Sequence, residues 1–152
     1  MLKRILLLLL VLLIVIQFFH PSKNLSDTLI TENDISKVYK IPADVHNILI
    51  QKCYDCHSNH TRYPWYNNVQ PIAWWMADHV NEGKHELNFS EFKTYSSKKA
   101  NHKMEELSDA INEGWMPLDT YLWLHRNARI TEEDQRAINQ WLHSLPIAID
   151  KQ

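Results

Sequence analysis

The run Cys53-Tyr54-Asp55-Cys56-His57 holds the only two cysteines among 152 residues, and it constrains the chain more tightly than any other stretch. A C-x-x-C-H spacing sets two thiols on neighbouring turns of one helix, followed at once by an imidazole. Each thiol can add to a vinyl group of one porphyrin, and the histidine can offer a ring nitrogen to its iron. The motif is therefore expected to attach one c-type haem covalently, with Cys53 and Cys56 as thioethers and His57 as the proximal ligand. Three other uses of a cysteine pair stay open: a zinc site, a redox dithiol and a structural disulfide. Zinc asks for four ligands, and Cys53, Cys56, His57 and His60 lie so close together that closing all four on one ion would strain the backbone. A thioredoxin-like dithiol asks for a βαβ alternation that the pattern lacks. A Cys53–Cys56 disulfide would close a ring too small to constrain much.

Charge is nearly balanced, with 16 basic and 18 acidic residues, so a nucleic-acid partner is not expected. Only Gly83 and Gly114 occur as glycines, which excludes a phosphate-cradling loop and a dinucleotide fingerprint. Aromatic residues make up 11% of the chain, enough to wrap a flat macrocycle or fill a small core.

In chain order, Lys3 and Arg4 precede an apolar run from Ile5 to Phe19 broken only by Gln17. No small-residue cleavage pattern follows, so residues 1–20 are expected to be an uncleaved signal-anchor in the cytoplasmic membrane. Lys3 and Arg4 would then stay inside, and the rest would face the periplasm or cell exterior. Residues 21–40 are polar and aperiodic and are expected to be a tether. Three N-x-S/T triplets begin at Asn24, Asn59 and Asn88, a pattern that also arises by chance. Residues 41–146 are expected to form the folded domain, and 147–152 a tail.

Within that domain Pro42 and Asp44 suit a helix start, and Val45, Ile48 and Leu49 follow at helical spacing. The first helix is then expected to continue towards Cys53, Cys56 and His57 and to deliver the ligand from its C-terminal end. Residues 58–71 read as a loop rich in rings. Ile72, Trp75, Met76, His79 and Val80 predict a second helix from Pro71 to Gly83, with Trp74 off its stripe and available to cover the cofactor edge or a neighbouring helix. A third helix is predicted over 97–112, with Met104, Leu107 and Ile111 inward and Gly114 as its left-handed cap. Tyr121, Leu122 and Leu124 mark a short helix. Thr131 and Asp134 frame a capping box for a last helix whose apolar face is Ala137, Ile138, Trp141, Leu142 and Leu145, stopped by Pro146. The fold class is all-α.

A helix leading into C-x-x-C-H, a later Met116-Pro117 pair and a terminal I-T-E-E-D-x-x-x-I-x-x-W-L helix resemble class I cytochrome c. More closely, Cys53 to Asn59, Tyr63-Pro64-Trp65, Gln70 to Trp75, Leu87 to Ser90 and Met116-Pro117-Leu118 resemble the small exported haem-binding domain family. That resemblance covers about residues 41 to 145. It implies a cytochrome c-like domain in which the first and last helices cross, with haem c attached outside the cytoplasmic membrane, His57 as proximal and Met116 as distal iron ligand. The aromatic insert around Trp74, Trp75 and Asn88 is longer than in a typical cytochrome.

Gly114 and Pro117 would hold Met116 on a fixed bend, which favours it as sixth ligand. His79 is the alternative, sharing a face with Trp75 and Met76. His60 lies close to the proximal side, His102 and His125 have no supporting pattern, and His20, His46, His85 and His143 read as exposed or incidental. Thioether opposite imidazole favours reduced iron and a higher potential. The expected function is one-electron transfer by a membrane-tethered monohaem cytochrome that docks with redox partner proteins. The alternative is a haem sensor or peroxidase-like protein with an open or displaceable distal ligand, for which Arg62, Arg126 and Arg129 are the arginines at hand. A weaker third class is a module that binds a partner through the Tyr/Trp-rich insert.

Overall fold

Wherever apolar side chains recur every three or four residues the chain is helical, and the computed structural model, which describes residues 1–146, is all-α. The tail expected at 147–152 lies outside the described residues. The helices are α1 (Leu2–Ile16), α2 (Ala43–Lys52), α3 (Tyr54–His57), α4 (Ile72–Glu86), α5 (Ser97–Asn112), α6 (Asp119–Leu122) and α7 (Glu132–Ser144). Short 3-10 turns cover Ile35–Lys37, Trp65–Asn68, Phe89–Thr94 and Arg126–Ala128. One isolated antiparallel bridge joins Leu25 to His60.

The core lies between α2, α5 and α7. Val45 and Leu49 from α2, Met104, Leu107 and Ile111 from α5, and Ile138, Trp141 and Leu142 from α7 are all buried there, as their spacing predicts. Thr131 and Asp134 form the reciprocal capping box at the start of α7. The Asp134 carboxylate also takes the Lys52 ammonium at 2.5 Å, which clamps the end of α2 to the start of α7. Gly114, at φ 74, turns the chain out of α5 as expected of a left-handed cap.

Two helix boundaries differ from the sequence reading. The first helix stops at Cys53, whose φ of −124° leaves the helical range, and the motif forms its own turn. There the N–H groups of both Cys56 and His57 donate to the Cys53 carbonyl, at 3.2 and 3.0 Å. The second helix runs through Gly83 to Glu86. Gly83 is a place of close approach instead of a stop, because a Cβ there would sit 2.7 Å from the Cys56 carbonyl oxygen.

Residues 24–39, expected as tether, lie packed on the domain. Asn24 donates to the Ser58 carbonyl at 2.8 Å, Ser26 N–H to Asn59 at 2.9 Å, and Thr31 to the Ser90 carbonyl, while Ile35 and Asp34 are fully buried. Polar residues without periodicity can pack by hydrogen bonding, which a hydropathy pattern does not register. Helix α1 has 15 residues, about 22 Å at 1.5 Å per residue, against roughly 30 Å of bilayer hydrocarbon. Among the described residues no helix is long and apolar enough to cross a membrane.

Candidate haem site

The C-x-x-C-H turn opens onto a mostly apolar cavity of about 590 Å³, walled by α4 on one side and by residues 107–125 on the other. Cys53, Cys56 and His57 line it together with Met116 and His79. Both thiols are free. Burial, with Cys56 beside it, pushes the Cys53 thiol up to about 12, and burial with the Asp55 carboxylate pushes Cys56 up to about 11. A redox dithiol needs a thiolate near neutral pH, so this environment opposes that use. Among the described residues no group of three His, Cys, Asp or Glu side chains is placed to hold a metal ion.

The imidazole of His57 is aimed by a backbone group thirty positions on. Its Nδ1 lies 2.9 Å from the Leu87 carbonyl oxygen. A carbonyl only accepts, so Nδ1 carries the proton and Nε2 is left with its lone pair. Burial lowers the His57 pKa, partly opposed by that hydrogen bond, and the ring is neutral at pH 7. A neutral ring with Nε2 unprotonated is the form that binds iron.

The two residues inside the motif are structural. Tyr54 is stacked on Phe89 at 5.2 Å and donates to buried Asp34 at 3.0 Å. Asp55 accepts from Arg62 Nε at 2.9 Å, from Arg62 Nη2 at 3.2 Å and from the Tyr121 hydroxyl at 2.8 Å. Arg62 further donates to the Ile50 and Gln51 carbonyls, so its guanidinium braces the end of α2 to the haem turn. Hydrogen bonding to Asp55 raises the Arg62 pKa, and burial raises that of Tyr121.

The predicted α4 stripe of Ile72, Trp75, Met76, His79 and Val80 lines the cavity, whereas Trp74 does not. His79 Nδ1 donates to the Trp75 carbonyl at 2.9 Å, which leaves Nε2 available on a ring packed 4.5 Å from Trp75. Met116, two residues beyond the Gly114 turn, also lines the cavity. His125 lines the cavity but both ring nitrogens are engaged, Nδ1 with the Tyr121 carbonyl and Nε2 with the Tyr66 hydroxyl, each at 3.1 Å. His60 bonds the Ser26 carbonyl and His102 pairs with Glu106, and neither lines the cavity. His46, read as incidental, has a buried Nε2 with no hydrogen-bond partner and is also outside the lining. Arg126 and Arg129 do not reach the cavity, and Arg62 is spent on Asp55.

Sequence reasoning missed the roles of Gly83, Leu87, Asp55 and Tyr121, each of which rests on a contact beyond its own turn that leaves no local signature in the sequence. The donor set fits haem: two protonated thiols at i and i+3, one neutral imidazole with a fixed tautomer, and a deep apolar slot between them and a thioether. Residues 11–144 match the sequence model of a haem-binding domain. No curated protein and no solved structure matches the chain.

Proposed function

The chain belongs to the haem-binding domain family, and from that premise we propose that it is a monohaem c-type cytochrome that carries single electrons outside the cytoplasmic membrane. Cys53 and Cys56 would hold the porphyrin by thioether bonds, His57 Nε2 would bind the iron from one side and Met116 from the other, with His79 as the rival donor. Bound there, haem supplies a one-electron ferric/ferrous couple. The observation that carries the reading is that both thiols and an imidazole held by the Leu87 carbonyl open onto one cavity that the Met116 thioether also lines.

The protein's own residues suit such a carrier. Leu87 keeps the His57 ring in one orientation, and Asp55, Arg62 and Tyr121 keep the turn that bears it from moving. Little rearrangement is then needed when charge on the iron changes. Trp75 and Trp115 line the cavity while half exposed, so an edge of the site is open to redox partner proteins. Attachment to the membrane is supported by α1, none of whose apolar residues is buried and whose first turn carries Lys3 and Arg4. A sensor or peroxidase-like role is the second reading. It is favoured by the one long backbone hydrogen bond, 3.4 Å from Met116 N–H to Ala110, that holds the distal residue.

The test is a visible spectrum of the full chain, made in a host that matures c-type cytochromes and purified in mild detergent. Haem that stays with the polypeptide through acid-acetone extraction, sharp low-spin bands on reduction and a weak sulfur-to-iron band when oxidised are expected. High-spin iron that binds carbon monoxide would move the protein to the sensor or enzyme class. Colourless protein would end the haem c reading.

A further inference from the structure

Two groups stand out among the exposed apolar side chains beyond α1. Ile72, Trp75, Trp115 and Leu124 line the haem cavity, so a bound macrocycle accounts for them. Phe18, Phe19, Trp65, Val69 and Trp74 line no part of it, yet Phe18 and Trp65 are 81% and 78% exposed. Single exposed rings are ordinary on a protein surface, but these five all lie within five residues of one hydrogen-bonded contact between two distant parts of the chain.

The junction is Gln70, a polar residue only 2% exposed. Its backbone N–H donates to the Gln17 side-chain oxygen at 2.9 Å, and its carbonyl accepts from the Gln17 amide at 3.2 Å. Its side chain donates to the Phe19 carbonyl at 2.6 Å and accepts from Trp74 N–H at 3.2 Å. The end of α1, the Trp65–Asn68 turn and the first turn of α4 are thereby clasped into one unit. Helix α1 enters that unit with no residue buried.

We propose that the face bearing Phe18, Phe19, Trp65, Val69 and Trp74 lies in the headgroup layer of a lipid bilayer, and that the Gln17–Gln70 clasp seats the haem domain on the membrane in one orientation. This rests on the reading that α1 enters lipid. Bare Leu, Ile and Val along a helix are suited to hydrocarbon, and the patch is tied to the end of that helix through the three hydrogen bonds from Gln70 to Gln17 and Phe19. Because α1 is shorter than the hydrocarbon layer, residues flanking it are drawn to the interface, the depth at which tryptophan rings are favoured. The α4 lining of the haem cavity includes Ile72 and Trp75 on either side of Trp74, so docking of this face would bring that wall beside lipid.

The experiment uses the full, haem-loaded chain in vesicles of phosphatidylcholine and phosphatidylglycerol. The photoreactive analogue benzoylphenylalanine replaces Trp65, Trp74 or, as control, Trp123, which is 72% exposed and outside the patch. Flotation reports attachment, the Soret band reports folding, and mass spectrometry counts lipid adducts after illumination. Adduct yields at 65 and 74 several times that at 123 are expected. Vesicle-bound protein with equal yields at all three positions would overturn the docked face while leaving α1 in lipid. Protein that does not float would remove the attachment reading and the face together. In the Gln17→Ala chain, flotation and Soret band should persist while the yields at 65 and 74 fall at least by half; unchanged yields would overturn the clasp.

Discussion

The two walls of the cavity are built differently. On the proximal side four of the five residues of Cys53–His57 are tied down: Tyr54 to Asp34 and Phe89, Asp55 to Arg62 and Tyr121, His57 to Leu87, and Cys56 pressed against the backbone at Gly83. On the distal side Met116 follows a glycine turn with open space around it, and Trp115 is half exposed. In the proposed arrangement one ligand sits in a densely bonded frame and the other on a bend with few contacts around it. The asymmetry matches the chemistry proposed, since thioether formation and imidazole ligation demand placement, while a thioether on a bend can close onto iron afterwards.

Replacing both thiols, Cys53→Ser with Cys56→Ser, should give the largest effect, complete loss of covalently held haem. A pyridine haemochrome assay after acid-acetone extraction reads it, and retained haem would refute the attachment. Next, Met116→Ala should abolish the sulfur-to-iron band and lower the reduction potential, with His79→Ala leaving both intact. The reverse pattern in spectroelectrochemical titration would hand the sixth position to His79.

The rigid wall should also be the less forgiving one. Gly83→Ala puts a Cβ 2.7 Å from the Cys56 carbonyl and 3.1 Å from its Cβ. Forcing backbones apart there should cost about 1–3 kcal/mol and lower haem yield. Gly114→Ala meets no atom and carries only the strain of its positive φ, about 1 kcal/mol, with haem yield unchanged. Urea unfolding of the two variants beside the parent chain compares the walls directly, and equal losses in both stability and haem would erase the distinction.

The smallest expected effect lies behind the proximal wall. Burial raises the Asp134 carboxyl, but Lys52 and the Thr131 cap outweigh it and hold it below the usual carboxylate range. A carboxyl depressed on folding contributes stability above its unfolded pKa and loses it as pH falls through the folded value. Asp134→Asn should therefore cost about 1 kcal/mol at neutral pH, and the two chains should converge in acid. A constant gap across pH would show that the carboxylate's charge is not what clamps α2 to α7.

Much of this was legible along the chain. Val45 and Leu49, Met104 and Leu107, and Ile138 and Trp141 announced their faces by spacing alone, and Thr131 and Asp134 announced the start of α7. The haem turn was legible as a motif. What escaped was whatever depends on two distant backbones meeting. Gly83 read as a helix stop because helix ends often carry glycine, and its contact with Cys56 has no local signature. Residues 24–39 read as tether because side chains that pack by hydrogen bonds leave no hydropathy trace.

By itself the sequence determined the all-α class, the faces of the core helices and the donors offered to a haem, because periodicity and residue identity act within a few turns of chain. Only the tertiary structure decided that His57 presents Nε2, that Arg62 serves Asp55, that His125 is already spent and that Met116 and His79 share one cavity. Those outcomes turn on which carbonyl, carboxylate or ring a folded chain brings within 3 Å or so of another, and hydrogen bonds of that kind are set by packing across the molecule rather than by neighbours in sequence.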